Sequence, residues 1–198
     1  MGHSGNSCGR RRAERPNHVW TWDFIHDRTA TGLPLKWLAI TDEFTRECLA
    51  LEVDRSIKSD RVLDTLTNLF LARGVPNHIR SDNGPEFIAK AIHEYSAHVD
   101  LEMLYVEPGS PWENGYAESF FSRLRDELLN VEEFMNLAEA QWFASHRKHE
   151  HNYERPHSSL DYQTPAEFAS QWVASASVAA LPSLRQPTAE SPTQPSLS

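Results

Sequence analysis

The chain has 198 residues, 39% of them hydrophobic and 12 of them proline, which suffices for one domain with its own core and demands no second. It holds no run of 18 or more apolar residues and no apolar segment behind a basic N-terminus, so neither a membrane span nor a secretory signal is indicated and a cytoplasmic protein is expected. The formal charge of -9 argues against a surface devoted to gripping a polyanion, unless some carboxylates bind cations or that affinity resides in another region. Cys8 and Cys48 stand in no metal-ligand spacing, which points to free thiols and away from a structural zinc.

Residues 1–17 combine Gly, Ser and Asn with Arg10, Arg11, Arg12 and Arg15, and read as a flexible basic arm that is either a solvated tail or a phosphate contact. From Trp20 the segments WTWDFIH, LKWLAITD and ECLALEV, parted by short turn-like breaks, predict three antiparallel strands. Val62, Leu63, Leu66, Leu69 and Phe70 recur at helical spacing until Gly74 and Pro76 stop the pattern. HIRSD then reads as a short strand, PEFIAKAIHEYSAHV as a helix opened by Pro85, and LEMLYVE as a further strand. A loop PGSPW leads to a helix over about 114–129, and another covers about 137–152. The expected class is α/β, with three antiparallel strands followed by parallel ones in a mixed five-stranded sheet flanked by helices. Residues 18–170 form the core on this reading. The Ala, Ser, Pro and Gln of residues 171–198 predict a largely disordered tail.

Three acids stand out by position. Asp23 lies inside the first strand, flanked by Trp22 and Phe24, where an aspartate is costly unless paired, hydrogen-bonded or bound to metal. Asp82 ends the strand HIRSD, with Asn83 and Gly84 shaping a turn at a strand's C-terminal edge, a usual place for ligand sites. Glu118 sits in the long helix, where a spacing of about 100° per residue sets Ser122 and Arg125 on its face. Ala117, Phe120, Phe121, Leu124 and Leu128 gather into an adjoining apolar stripe. Converging carboxylates repel one another, and hard oxygen donors suit a pair of Mg²⁺ or Mn²⁺ ions, the arrangement of phosphodiester chemistry. By spacing alone, any one of the 28 acids is more often a solvated or structural residue. His146, His149 and His151 do not share one helix face and read as solvated or next to nucleic acid.

The segments WTWDFI, LAITDEFTRECLALEV, IRSDNGPEF, PGSPWENGYAESFFSRLRDELLN and YERPHSSLDYQTPAEF together resemble the retroviral-integrase-like core of bacterial insertion-sequence transposases, over about residues 18–169. Between Asp82 and Glu118 lie 35 residues, the interval typical of the second and third members of that family's acidic triad. The resemblance implies an RNase H-like fold with Asp23, Asp82 and Glu118 as catalytic residues holding two Mg²⁺ or Mn²⁺ ions. It implies that a 3′ hydroxyl freed at a transposon end attacks target DNA, with transposon ends and target as partners and a homo-oligomer pairing two ends at the nucleoid. Arg125, Arg123, Arg155, Asn114 and Trp112 are the candidate DNA contacts. For Arg125 a surface ion pair is an equal alternative, and Trp112 serves as well for anchoring its loop. Arg155 and His157 fall in a segment that matches the family's C-terminal motif, whose role is packing on the catalytic helix or contact with DNA ends. Where that motif commonly has Gly before the tyrosine, this chain has Asp161, and position 122 holds serine where a basic or amide residue is frequent. The family usually carries a helix-turn-helix region ahead of the core, and 17 residues precede the matched part, so specific end recognition is expected to be missing here, the chain reading as an excised catalytic domain, the product of a truncated element, or one half of a split gene that acts with a helix-turn-helix partner. Two other readings stand beside strand transfer: a non-catalytic remnant that binds DNA or a partner transposase, and an RNase H-type nuclease acting on hybrids.

Overall fold

The computed structural model describes residues 12–81, 90, 94, 101–105, 115–129 and 132–179, with backbone alone at 105, 115–118, 128 and 173–179. Strands β1 (Val19–Arg28), β2 (Pro34–Asp42) and β3 (Cys48–Asp54) form the antiparallel meander expected from their short breaks. Strands β4 (His78–Ser81) and β5 (Glu102–Tyr105) add to the far side of β1 in parallel, giving the order β3-β2-β1-β4-β5. Helix α1 (Ser59–Arg73) makes the crossover from β3 to β4. It ends at Gly74, whose φ of 84° few other residues adopt and whose N–H donates to the Phe70 carbonyl at 2.8 Å. Helix α2 (Gly115–Leu124) runs into a π turn at Arg125–Leu129; α3 (Leu137–Tyr153), a short turn at Ser158–Leu160 and α4 (Pro165–Ala179) follow. Of the helix expected over PEFIAKAIHEYSAHV, only Lys90 and Glu94 are described; both are helical, and their charged ends lie 3.9 Å apart.

Side-chain alternation divides the core between the two faces of the sheet. Trp20, Trp22, Leu38, Ile40 and Ile79 pack under Val62, Leu66 and Phe70 of α1. Ile25, Trp37, Ala39, Leu51 and Val53 take the other face, against Phe121 and Leu124 of α2 and Ala140 and Ala144 of α3. Each layer is apolar on the inside, so burial holds both sets of helices to one sheet. On β3, the edge strand, Asn152 of α3 supplies what a neighbouring strand would: its Oδ1 accepts from Cys48 N at 2.8 Å and its Nδ2 donates to Cys48 O at 2.9 Å.

One feature differs from expectation. Residues 171–179, assigned by composition to the tail, continue α4. A capping box starts this helix, Glu167 accepting from Thr164 N at 2.9 Å while Thr164 Oγ1 accepts from Glu167 N, with Pro165 in the first turn. Phe168 and Trp172 then pack on Phe44, tilted and edge-on, with ring centroids 5.6 and 4.9 Å away. In α2, Phe121 and Leu124 are buried as the expected stripe requires, and Leu129, at the end of the π turn, packs on the same cluster; the side chain of Leu128 lies outside the described residues.

Candidate active site

Asp23 sits in the middle of β1, opposite Ala39 of β2, and is half-buried. Its neighbours Trp22 and Phe24 belong to the α1 face, whereas Ile25, two residues on, packs with Phe121 and Leu124. The alternation therefore sets Asp23 on the side of the sheet that α2 covers. One of its oxygens, Oδ1, accepts from Phe24 N at 2.6 Å. Burial beside tryptophans thus coexists with hydrogen bonding, as a charged group inside a strand requires.

Strand β4 reaches the same region from the other side. It pairs in parallel with β1 as Val19 with His78, Trp20 with Ile79 and Thr21 with Arg80, and its last residue, Ser81, precedes Asp82. Arg80 is buried, and its Nη1 lies 2.9 Å from Glu43 Oε1 just past the end of β2. Glu118 lies within α2, the helix anchored on the sheet by Phe121 and Leu124. Asp82, Asn83, Gly84, Trp112 and Asn114 lie outside the described residues, as does the side chain of Glu118. Among the described residues no group of three or more His, Cys, Asp or Glu stands ready to hold a metal, so of the three acids only the Asp23 carboxylate is placed. Its chemistry fits a hard divalent cation: an oxygen donor, partly desolvated, on a rigid strand.

The arginines divide into separate roles. Arg125 is exposed at the first position of the π turn, and Arg123 is exposed on α2 with Nη1 3.4 Å from His157 Nδ1. Arg155 is engaged by Glu127 of the π turn, Nη2 donating to Oε1 at 2.7 Å, and Glu127 also holds Arg147 of α3. The guanidinium of Arg155 thus ties the segment after α3 to the π turn that follows α2. Ser122 is exposed.

The three α3 histidines do not share one environment. His149 faces Glu154 at 3.6 Å, and His146 stacks on the exposed Trp142. His151, expected to be solvated or beside nucleic acid, is instead buried, with Nε2 2.9 Å from the Arg46 carbonyl and its ring edge-on to Phe120. Burial pushes its imidazole down to about 4. Sequence reasoning also missed Arg46, which adopts a φ of 64° in the turn between β2 and β3. The local signal for that turn was present in Asp42 and Thr45: Asp42 Oδ1 accepts from Phe44 N and Thr45 N at 2.8 and 3.0 Å. Nothing local marks Arg80 and Glu43 as partners, since 37 positions separate them.

The integrase core domain family matches residues 13–111, and a second description of the same domain matches residues 99–165. The insertion element IS476 uncharacterized 39.2 kDa protein of Xanthomonas euvesicatoria is 38% identical over 157 residues, covering 79% of this chain and 45% of that protein. The IS407 uncharacterized 31.7 kDa protein of Burkholderia multivorans is 36% identical over 161 residues, 81% of this chain and 58% of that one. The chain therefore spans about half the length of these relatives. The catalytic core domain of HTLV-2 integrase, in complex with magnesium, superposes with a TM-score of 0.59 at 18% identity, over 80% of this chain and 99% of that domain. A chain of the simian T-cell lymphotropic virus intasome gives 0.66 at 17% identity, over 94% of this chain and 63% of that one. The mixed sheet with its flanking helices is the RNase H-like fold.

Proposed function

This chain belongs to the integrase core domain family, and from that premise we propose that it is the catalytic core of an insertion-sequence transposase that cleaves DNA 3′ ends and transfers strands. Asp23, Asp82 and Glu118 are the proposed catalytic residues. The observation that carries the reading is the direction of Asp23, toward the sheet face on which α2 packs through Phe121 and Leu124. The register of β1 with β4, from Val19 with His78 to Thr21 with Arg80, supports it further, because it sets the end of β4, which Asp82 follows in sequence, beside the strand that carries Asp23.

In this reading Asp23, Asp82 and Glu118 would together hold the divalent cations, Asp23 being presented by β1 and Glu118 by α2. When bound, two Mg²⁺ or Mn²⁺ ions would activate the attacking oxygen and stabilise the leaving oxygen of an in-line displacement at phosphorus. The chain's own share is positional. β1 is central in the sheet and held on both sides, so Asp23 cannot drift, and burial of Phe121 and Leu124 sets the height of α2 over it. The partners proposed are transposon ends and target DNA in the bacterial nucleoid, with a homo-oligomer pairing the ends and a helix-turn-helix region or subunit recognising them.

The test uses a labelled duplex with a recessed 3′ hydroxyl, a second duplex as target, and Mg²⁺ or Mn²⁺. Joined strands are expected from the native chain and none from Asp82→Asn or Asp23→Asn. Joining that survives both substitutions, or cleavage confined to RNA:DNA hybrids, would overturn the assignment.

A further inference from the structure

On the α2 side of the sheet a cavity of about 250 Å³ opens between the end of β2, α2, α3 and the Ser158–Leu160 turn, and the acidic triad does not account for it. Arg46, Ser119, Arg123, His157 and Ser159 are among the residues that line it. His157 is 6% exposed, and its buried Nε2 has no hydrogen-bond partner among the described residues. A buried polar atom left so costs about as much as a lost hydrogen bond, and native interiors rarely keep one.

The ring's other nitrogen decides what the missing partner must be. Nδ1 lies 3.4 Å from Arg123 Nη1, and a guanidinium only donates. Nδ1 is then the acceptor, the proton resides on Nε2, and the unmet need is for an acceptor. Cationic groups surround it. Burial, and then Arg123, hold the His157 imidazole below its ordinary range; the backbone of His151 beside the ring opposes them, and Arg155 and Arg46 add smaller downward contributions. His151 itself is neutral, being pushed down to about 4. Among the described residues the one carboxylate lining the cavity, Asp42, is occupied: Asn17 N donates to its Oδ2 at 2.7 Å, and Phe44 and Thr45 donate to Oδ1.

We infer that this cavity is a phosphate subsite, in which His157 Nε2–H and the Arg123 guanidinium donate to one phosphodiester of the DNA strand handled at Asp23. That the phosphate belongs to DNA rests on the function proposed above. Its position suits that role. Thr41 lines the cavity two residues along β2 from Ala39, the register partner of Asp23. This is on the order of 7 Å, about two nucleotide rises of a duplex strand. Ser119, which follows Glu118 in sequence, lines it as well. The segment containing His157 thereby reads one strand's backbone close to the reacting end.

The experiment follows the His157 ring nitrogens by ¹⁵N NMR in the full chain with EDTA present, so that no divalent ion takes part. Inorganic phosphate and the dinucleotide TpT are the two probes. Both are expected to shift the Nε2 resonance, and Arg123→Gln, at an exposed position, is expected to weaken TpT binding at least about ten-fold. Ser159→Ala, also exposed, serves as the second variant and is expected to weaken it less. A His157 that stays silent with both probes would overturn the subsite. A response to phosphate but not to TpT would overturn the assignment to DNA. Unchanged TpT affinity in Arg123→Gln, with unaltered thermal unfolding, would remove Arg123 from it. Strand joining with metal is scored separately. Joining by a protein whose His157 stays silent sinks the subsite alone, whereas a responding His157 in a protein that never joins strands sinks the proposed function and leaves the subsite standing.

Discussion

Arg80 and Glu43 form an ion pair whose side chains are 5% and 1% exposed, with Arg80 Nη1 2.9 and 3.2 Å from the two Glu43 oxygens. It ties β4, one residue before its last, to the turn that closes β2. A buried pair of this kind contributes little over an apolar pair, but removing one partner strands a charge. Glu43→Gln or Arg80→Met alone is expected to lower stability by roughly 3–5 kcal/mol. The double substitution is expected to lose less than the sum. Urea unfolding of the four proteins closes the cycle, and additive losses would show that the pair is not coupled.

Metal binding should appear in stability before it appears in catalysis. At a free Mn²⁺ concentration a hundred-fold above its dissociation constant, a site present only in the folded chain adds about 2.7 kcal/mol, or roughly 5–10 °C in melting temperature for a protein of this size. That rise is expected in the native chain, reversed by EDTA and absent in Asp23→Asn. Equal gains in both proteins, read by differential scanning fluorimetry, would place any bound ion elsewhere.

Acid should destabilise the fold through His151. Its imidazole titrates near 4 when folded and near 6.5 when unfolded, burial being the main cause. Between those values the unfolded chain binds the extra proton. This contribution is therefore fully present above pH 6.5 and is lost as pH falls toward 4, by at most about 1.4 kcal/mol per pH unit and about 3 kcal/mol in all. His157 shifts in the same direction, while Asp42, raised by burial, acts in the opposite sense at lower pH. His151→Asn is expected to flatten the slope of unfolding free energy between pH 6.5 and 4.5 by the His151 share, measured by denaturant titration at each pH. An unchanged slope would remove His151 from the account.

Asp161 offers a gain. It adopts φ 53° and ψ 41° at the end of the Ser158–Leu160 turn, and the following Tyr162 has φ 61°. The left-handed region crowds any Cβ, by roughly 1–2 kcal/mol, although Asp tolerates it better than most residues. Asp161→Gly is expected to stabilise by up to about 1 kcal/mol, a rise of roughly 2–4 °C. A fall in melting temperature would mean that the Asp161 carboxylate contributes more than its backbone strain removes.

Asn152 should prove structural. With Asn152→Ala the N–H and C=O of Cys48 lose their buried partner, and a loss of roughly 2–4 kcal/mol is expected. Thermal unfolding measures it, and a near-neutral result would mean that water replaces the amide.

Much of this protein was legible from its own residues. Alternation at Trp20, Trp22 and Phe24 marked β1, the spacing of Val62, Leu66 and Phe70 marked α1, and Gly74 with Pro76 marked its end, because each signal acts within a few residues of the structure it produces. The same periodicities implied which side of β1 carries Asp23. Composition misjudged the start of the tail, because α4 is held by a capping box at Thr164 and by aromatic contacts with Phe44, more than 120 positions away.

Other properties required the folded chain. Leu129 takes its place in the core because a π turn forms over α3, and its five residues carry no sequence mark that separates them from an α-helix. Arg80 meets Glu43, Asn152 meets Cys48, and Arg123 meets His157 across separations of 37, 104 and 34 positions. Local pattern encodes burial and periodicity, since those depend on neighbours along the chain. Which charged or polar group finds which partner depends on how the layers close over the sheet, and only the tertiary structure decides that.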